Sequence, residues 1–153
     1  MRFTALAATA ALALAPLVAS AQDKATEADA RKLLAAITDL IKSKGVKVAS
    51  EMLAKSEGVD CRVKDAGCLI GTVDAQILAN PRNPAMVGQK FPDLMDIDGK
   101  SISEQIIGPL KAGKSSWEAK YKMNPPGQKV IVPRWSLCNK VDTAAVCVTI
   151  SQP

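Results

Sequence analysis

The chain contains no histidine. That removes the commonest general base, proton shuttle and haem ligand, and it leaves every serine without an imidazole partner. No serine stands in a nucleophile-elbow pattern. The nine glycines are dispersed along the 153 residues rather than gathered into a phosphate-cradling loop. Aromatic residues make up only 3%, and past residue 21 they are Phe91, Trp117, Tyr121 and Trp135. Beyond the N-terminus, no apolar run approaches the ~20 residues that a membrane-spanning helix requires. Basic residues exceed acidic ones, for a net charge of +5. They are scattered, with only short pairings such as Lys42/Lys44 and Lys120/Lys122, which suits a solvated surface better than a nucleic-acid face. These absences argue against an enzyme, and they call for no cofactor.

What is present begins with an export signal. Arg2 supplies a positive start, residues 3–18 form an uncharged stretch rich in Ala and Leu, and Ala19-Ser20-Ala21 offers small residues where a signal peptidase reads. No cysteine stands at the lipoprotein position. The expectation is a signal peptide over 1–21 and a single domain over 22–153, periplasmic or secreted, with no membrane anchor after cleavage.

The four cysteines, Cys61, Cys68, Cys138 and Cys147, all fall beyond that signal. An even count in an exported chain favours disulfides, although four cysteines allow three pairings. Tight turns inside each close pair favour Cys61–Cys68 and Cys138–Cys147, each pinning a hairpin. Metal ligation is not expected, because the spacings are too wide and histidine is missing.

Hydrophobic periodicity supplies the elements. Leu33, Leu34, Ile37, Leu40 and Ile41 fall on one helical stripe, with Thr26 as cap and Gly45 as stop. A shorter helix is predicted over 48–55, with Met52 and Leu53 inward. Strands are predicted over 61–64, 68–73 and 76–79. A long loop over 80–92, with Pro81, Pro84, Pro92 and Gly88, comes next. Ser101 and Glu104 have capping-box spacing ahead of Ile102, Ile106, Ile107 and Leu110, and Gly108-Pro109 and Gly113 predict an early end to that helix. Strands over 117–122, 130–138 and 144–150 close the chain, with a turn at Asn124-Pro125-Pro126-Gly127. Asp93, Asp96 and Asp98 before Gly99 fail as a calcium loop, since Leu94 and Gln105 would fill acidic positions; a tight turn is expected there. The order implies an α+β fold, an antiparallel sheet with the first helix on one face.

From about Cys61 to Ile150 the chain resembles single Cache domains, the PAS-like extracellular sensor modules. The matching stretches are Ile77-Leu-Ala-Asn-Pro, Asn83-Pro-Ala-Met-Val-Gly-Gln-Lys and Phe91-Pro-Asp-Leu-Met-Asp-Ile-Asp-Gly-Lys, followed by the isoleucine-rich helix. Gly113 to Trp117, Asn124-Pro125 and Val132-Pro-Arg-Trp-Ser continue the series. The resemblance implies a PAS/Cache-like antiparallel sheet with a long N-terminal helix packed on one face and a loop-helix lid on the other. It also implies a small-molecule ligand, a carboxylate or amino acid, and a membrane-bound signalling partner. With no output module after Pro153, a stand-alone sensory or ligand-presenting domain is expected. The sequence departs from the family at Asn80, where His is common, at Lys120 and Lys122, where aromatics are common, and at Leu137, where Tyr is common. The resemblance nominates Asn80, Trp117, Tyr121, Arg134 and Ser136 as ligand-binding residues, with Arg134 as a carboxylate clamp. The alternative is a structural or interaction module whose pocket is filled by its own side chains.

The exported product should have the intact mass of a chain starting at Gln22, with no thiol open to alkylation. A product that retains Met1 contradicts the signal reading.

Overall fold

The computed structural model describes residues 24–124 and 129–152. The predicted export signal over 1–21 and residues 125–127 of the predicted turn lie outside the described residues. Element order is α1 (Glu27–Lys44), α2 (Val46–Ala54), β1 (Gly67–Thr72), β2 (Ile77–Ala79), α3 (Ile102–Lys111), β3 (Ser116–Met123), β4 (Val132–Val141) and β5 (Ala144–Ser151). The strands form one antiparallel sheet in the order β2-β1-β5-β4-β3. Among the described residues, no helix is long and apolar enough to cross a membrane.

Helix α1 starts where Thr26 and Asp29 exchange side-chain-to-backbone hydrogen bonds in a capping box. It ends at Gly45, whose φ of 80° suits glycine. One residue later α2 begins, two positions earlier than the periodicity suggests. Leu33, Leu34, Ile37 and Ile41 on α1 and Ala49 and Leu53 on α2 are buried against one sheet face, whereas Met52 is only half-buried. That face contributes Ile70, Trp135, Leu137, Val146, Val148 and Ile150. The opposite face carries Leu69, Trp117, Ala119, Tyr121, Cys138 and Cys147, covered by Ile102, Ile106, Ile107 and Leu110 of α3. Strand alternation therefore sorts two cores onto two faces of one sheet.

Two local predictions are corrected. Residues 61–64 are not a strand but a turn: Asp60 accepts the Arg62 N–H, Lys64 adopts φ 54°, and the Ala66 N–H bonds to the Val63 carbonyl. The Cys61–Cys68 bridge joins this turn to β1 rather than closing a hairpin. Helix α3 does not stop at Gly108-Pro109. It runs to Lys111, because Leu110 is buried in the lid core and the Ala112 N–H still reaches the Gly108 carbonyl. Cys138–Cys147 does pin the β4–β5 hairpin, linking residues that sit directly opposite one another, with Cα atoms 4.1 Å apart. The Asp96–Lys100 stretch is a tight turn: Asp96 accepts the Asp98 and Lys100 N–H groups and the Gln105 side-chain amide.

Three carboxylates are tied into this framework. The Thr26 N–H, the Lys64 ammonium and the Thr26 hydroxyl hold Asp29 at about 2, against an ordinary 3.8. The Lys100 N–H, with Gln105, the Asp98 N–H and the Lys100 charge, outweighs desolvation and lowers Asp96. Burial pushes Asp65 up, but the Ala25 N–H, the Ser151 hydroxyl and N–H, and Arg134 outweigh it and leave it lowered. A carboxyl lowered in the folded state contributes stability above its unfolded value, and this is lost as pH falls through the folded value. Stability should therefore hold down to about pH 4 and decline steeply toward pH 2. Thermal melts across that range test this, and Asp29→Asn should flatten part of the decline. Replacing Cys138 and Cys147 together by alanine should cost about 2–4 kcal/mol in urea unfolding, with the fold retained.

Candidate functional site

The lid face of the sheet carries an unusual floor. Ser136, fully buried in the middle of β4, bonds to Thr149 of β5 at 2.6 Å, and its hydroxyl lies 3.3 Å from the Tyr121 hydroxyl of β3. Three hydroxyls from three adjacent strands meet there because 121, 136 and 149 point to the same face in the observed register. In a core otherwise built of Ile, Leu, Ala, Trp117 and the Cys138–Cys147 bridge, each hydroxyl would cost about 1–3 kcal/mol if left unpaired.

Beside this chain lies a cavity of about 180 Å³. Its wall includes Asn80, Arg82, Tyr121, Arg134 and Thr149, with Met86, Phe91, Ile106 and Met123 supplying apolar surface. The loop after β2 closes one side. It is fixed there by bonds from the Ile77 and Phe91 N–H groups to the Gln89 and Ala75 carbonyls.

Arg134 is three-quarters buried, with 25% of its side chain exposed. Its Nη1 donates to the Ser151 hydroxyl at 2.9 Å and lies 3.9 Å from Asp65 Oδ2. Asp65 in turn accepts the Ser151 and Ala25 N–H groups. Arg134 therefore sits in a fixed pose, and its planar fork of five donors has capacity beyond these partners. Arg82 lies across Gly67, where an added Cβ would meet its Cδ at 3.3 Å. It donates to the carbonyls of Ala66 and Lys64.

The sequence-nominated residues separate into three groups. Asn80, Tyr121 and Arg134 reach the cavity wall. Asn80 is already engaged, accepting the Asn83 N–H and donating to Met86 Sδ. Ser136, the middle hydroxyl of the floor, does not itself line the cavity and meets it only through Tyr121 and Thr149. Trp117 shares the face but is buried within the lid core, outside the cavity wall, and its Nε1 has no hydrogen-bond partner among the described residues. Arg82 and Thr149 were not nominated. The Arg-Asn pair inside the proline-rich loop and the Ser-Leu-Cys / Cys-Val-Thr pattern of the closing hairpin were the only hints.

A larger depression of about 440 Å³ opens on the opposite face, at the start of α1. Its charged groups are exposed Lys24, Glu27, Glu118 and Lys120, and Glu118 is already taken by Trp135 Nε1 and by Arg31. It lacks a convergence of buried polar groups, so the smaller cavity is the better site.

No family model and no curated protein matches this sequence. Solved structures do resemble it. One, described as the structural basis for carboxylic acid recognition by a Cache chemosensory domain, superposes with a TM-score of 0.65 at 14% identity, over 82% of this chain and 92% of the other. A periplasmic sensor domain of a chemotaxis protein gives 0.61 at 20% identity, over 90% and 98%. A methyl-accepting chemotaxis protein from Vibrio parahaemolyticus gives 0.61 at 13% identity, over 81% and 86%. With its helix on one face, its lid on the other and its 2-1-5-4-3 strand order, this chain has the fold of a single Cache domain.

Proposed function

We propose that this chain is an exported, non-enzymatic sensory or ligand-presenting domain that binds a small carboxylate in the lid-face cavity. The observation that carries this reading is Arg134. It is a largely buried arginine lining the cavity, its guanidinium bonded to Ser151 and facing Asp65, beside the linked hydroxyls of Tyr121, Ser136 and Thr149. A carboxylate matches a guanidinium fork, and hydroxyls that can donate or accept suit a second oxygen on the ligand.

Size narrows the class. At about 180 Å³ the cavity is smaller than the ~300–1,000 Å³ typical of sites for drug-sized molecules, so an acid of a few carbons fits better than a large metabolite. A structurally similar Cache domain is described as recognising a carboxylic acid, and the other neighbours belong to chemotaxis proteins. Both support a periplasmic address and a membrane-bound signalling partner.

A thermal-shift panel of acetate, propionate, lactate, pyruvate and succinate tests the reading. A binder at a hundred times its Kd should stabilise the domain by about 2.7 kcal/mol, a shift of several degrees. Arg134→Ala should weaken that binder at least about tenfold. No shift across the panel, or an undiminished shift in the variant, contradicts the proposal and favours a module whose pocket is filled by its own side chains.

A further inference from the structure

We propose that the turn at residues 64–66 couples occupancy of the lid-face cavity to the first turn of α1. This rests on the reading of that cavity as a ligand site.

Both arginines on the cavity wall are anchored to this one turn. Arg82 donates through Nε to the Ala66 carbonyl and through Nη2 to the Lys64 carbonyl. Arg134 faces the Asp65 carboxylate at 3.9 Å and reaches it again through Ser151, whose hydroxyl accepts from Arg134 and whose N–H donates to Asp65 at 3.0 Å. The same residues hold the helix on their other side. Asp65 Oδ1 accepts the Ala25 N–H, and the Lys64 ammonium pairs with Asp29 at 2.9 Å. Asp29 is the carboxylate of the α1 capping box, so one tie enters the helix in its first turn and the other, at Ala25, holds the residue just before the N-cap Thr26. Three residues therefore stand between the cavity's cations and the root of α1.

The turn is covalently closed by Cys61–Cys68, and Cys68 itself borders the cavity. The chemistry of competition follows from charge. A carboxylate ligand and Asp65 both call on the Arg134 guanidinium, and Asp65 is poorly placed to lose it, with only 13% of its side chain exposed. Drawing Arg134 toward a ligand therefore weakens the pose in which Asp65 holds Ala25. Linkage requires the reverse as well: loosening α1 at its root makes Arg134 more available to an anion.

The experiment is amide hydrogen exchange by NMR on the mature chain, read at Ala25 and Thr26, with Ala49 in α2 as the internal reference. Saturating pyruvate should accelerate exchange at Ala25 about fivefold relative to Ala49, the factor for one lost hydrogen bond. In Asp65→Ala, which removes both acceptor oxygens, Ala25 should exchange fast without ligand, and pyruvate should add nothing further. A pyruvate-induced rise in Tm with Ala25 unmoved in the unsubstituted chain overturns the coupling but leaves the ligand site standing, and so does Ala25 exchange that stays slow in ligand-free Asp65→Ala. If neither pyruvate nor any other acid of the panel shifts Tm, the ligand reading fails, and Arg134→Gln judges the coupling without ligand. That variant, checked for native circular dichroism, should accelerate Ala25 to a similar extent; unchanged exchange overturns the proposal. Arg134→Gln also decides the matter alone if Asp65→Ala does not fold.

Discussion

A sheet covered on both faces gives its central strands no solvent side, and this constraint organises the rest of the molecule. β5 lies between β1 and β4, with α1 over one face and α3 over the other, so Ala144 through Val148 are all buried. Every side chain there must be apolar or hydrogen-bonded inside the protein. The hairpin meets that requirement with Val146, Val148 and Ile150 toward α1 and a disulfide toward α3. Ser136 and Thr149 are the exceptions. They bond to one another, Ser136 also meets the Tyr121 hydroxyl, and the proposed ligand site lies where these hydroxyls end.

Much of this framework was legible in the sequence because it depends on local rules. The Leu33–Ile37–Ile41 stripe, the Thr26 cap and the Gly45 stop specify α1 with no tertiary information, and paired turns near the cysteines anticipated both disulfides. Failures came where long-range packing won. The 61–64 segment has strand-like composition, but a bridge to β1 and the positive φ at Lys64 hold it as a turn. Pro109 removes one donor from α3, yet burial of Leu110 carries the helix past it.

The candidate site was legible only in part, for a geometric reason. Trp117 and Tyr121 point to the same face of the same strand, and only the position of α3 decides that one packs in the lid core while the other borders the cavity. Arg82 lies in an irregular loop with no period to mark its direction, and it reaches back 16 residues to the Ala66 carbonyl. Asp65 looked like a turn residue. Its bonds to Ala25 and Ser151 span 40 and 86 positions, and no local pattern contains them. Arg134 was nominated through a family motif, but its fixed pose comes from Ser151 and Asp65, which lie outside that motif.

The account turns on whether the lid-face cavity accepts a small anion through its arginines. Side-chain Nε–Hε spectra of a chain spanning residues 22–153 resolve this directly, since its only arginines are Arg31, Arg62, Arg82 and Arg134. Titration with the carboxylates, at constant ionic strength, should move the Arg134 resonance saturably, with Arg82 following and exposed Arg31 and Arg62 unmoved. Parallel, non-saturating drifts of all four, or movement of the exposed pair alone, would contradict it.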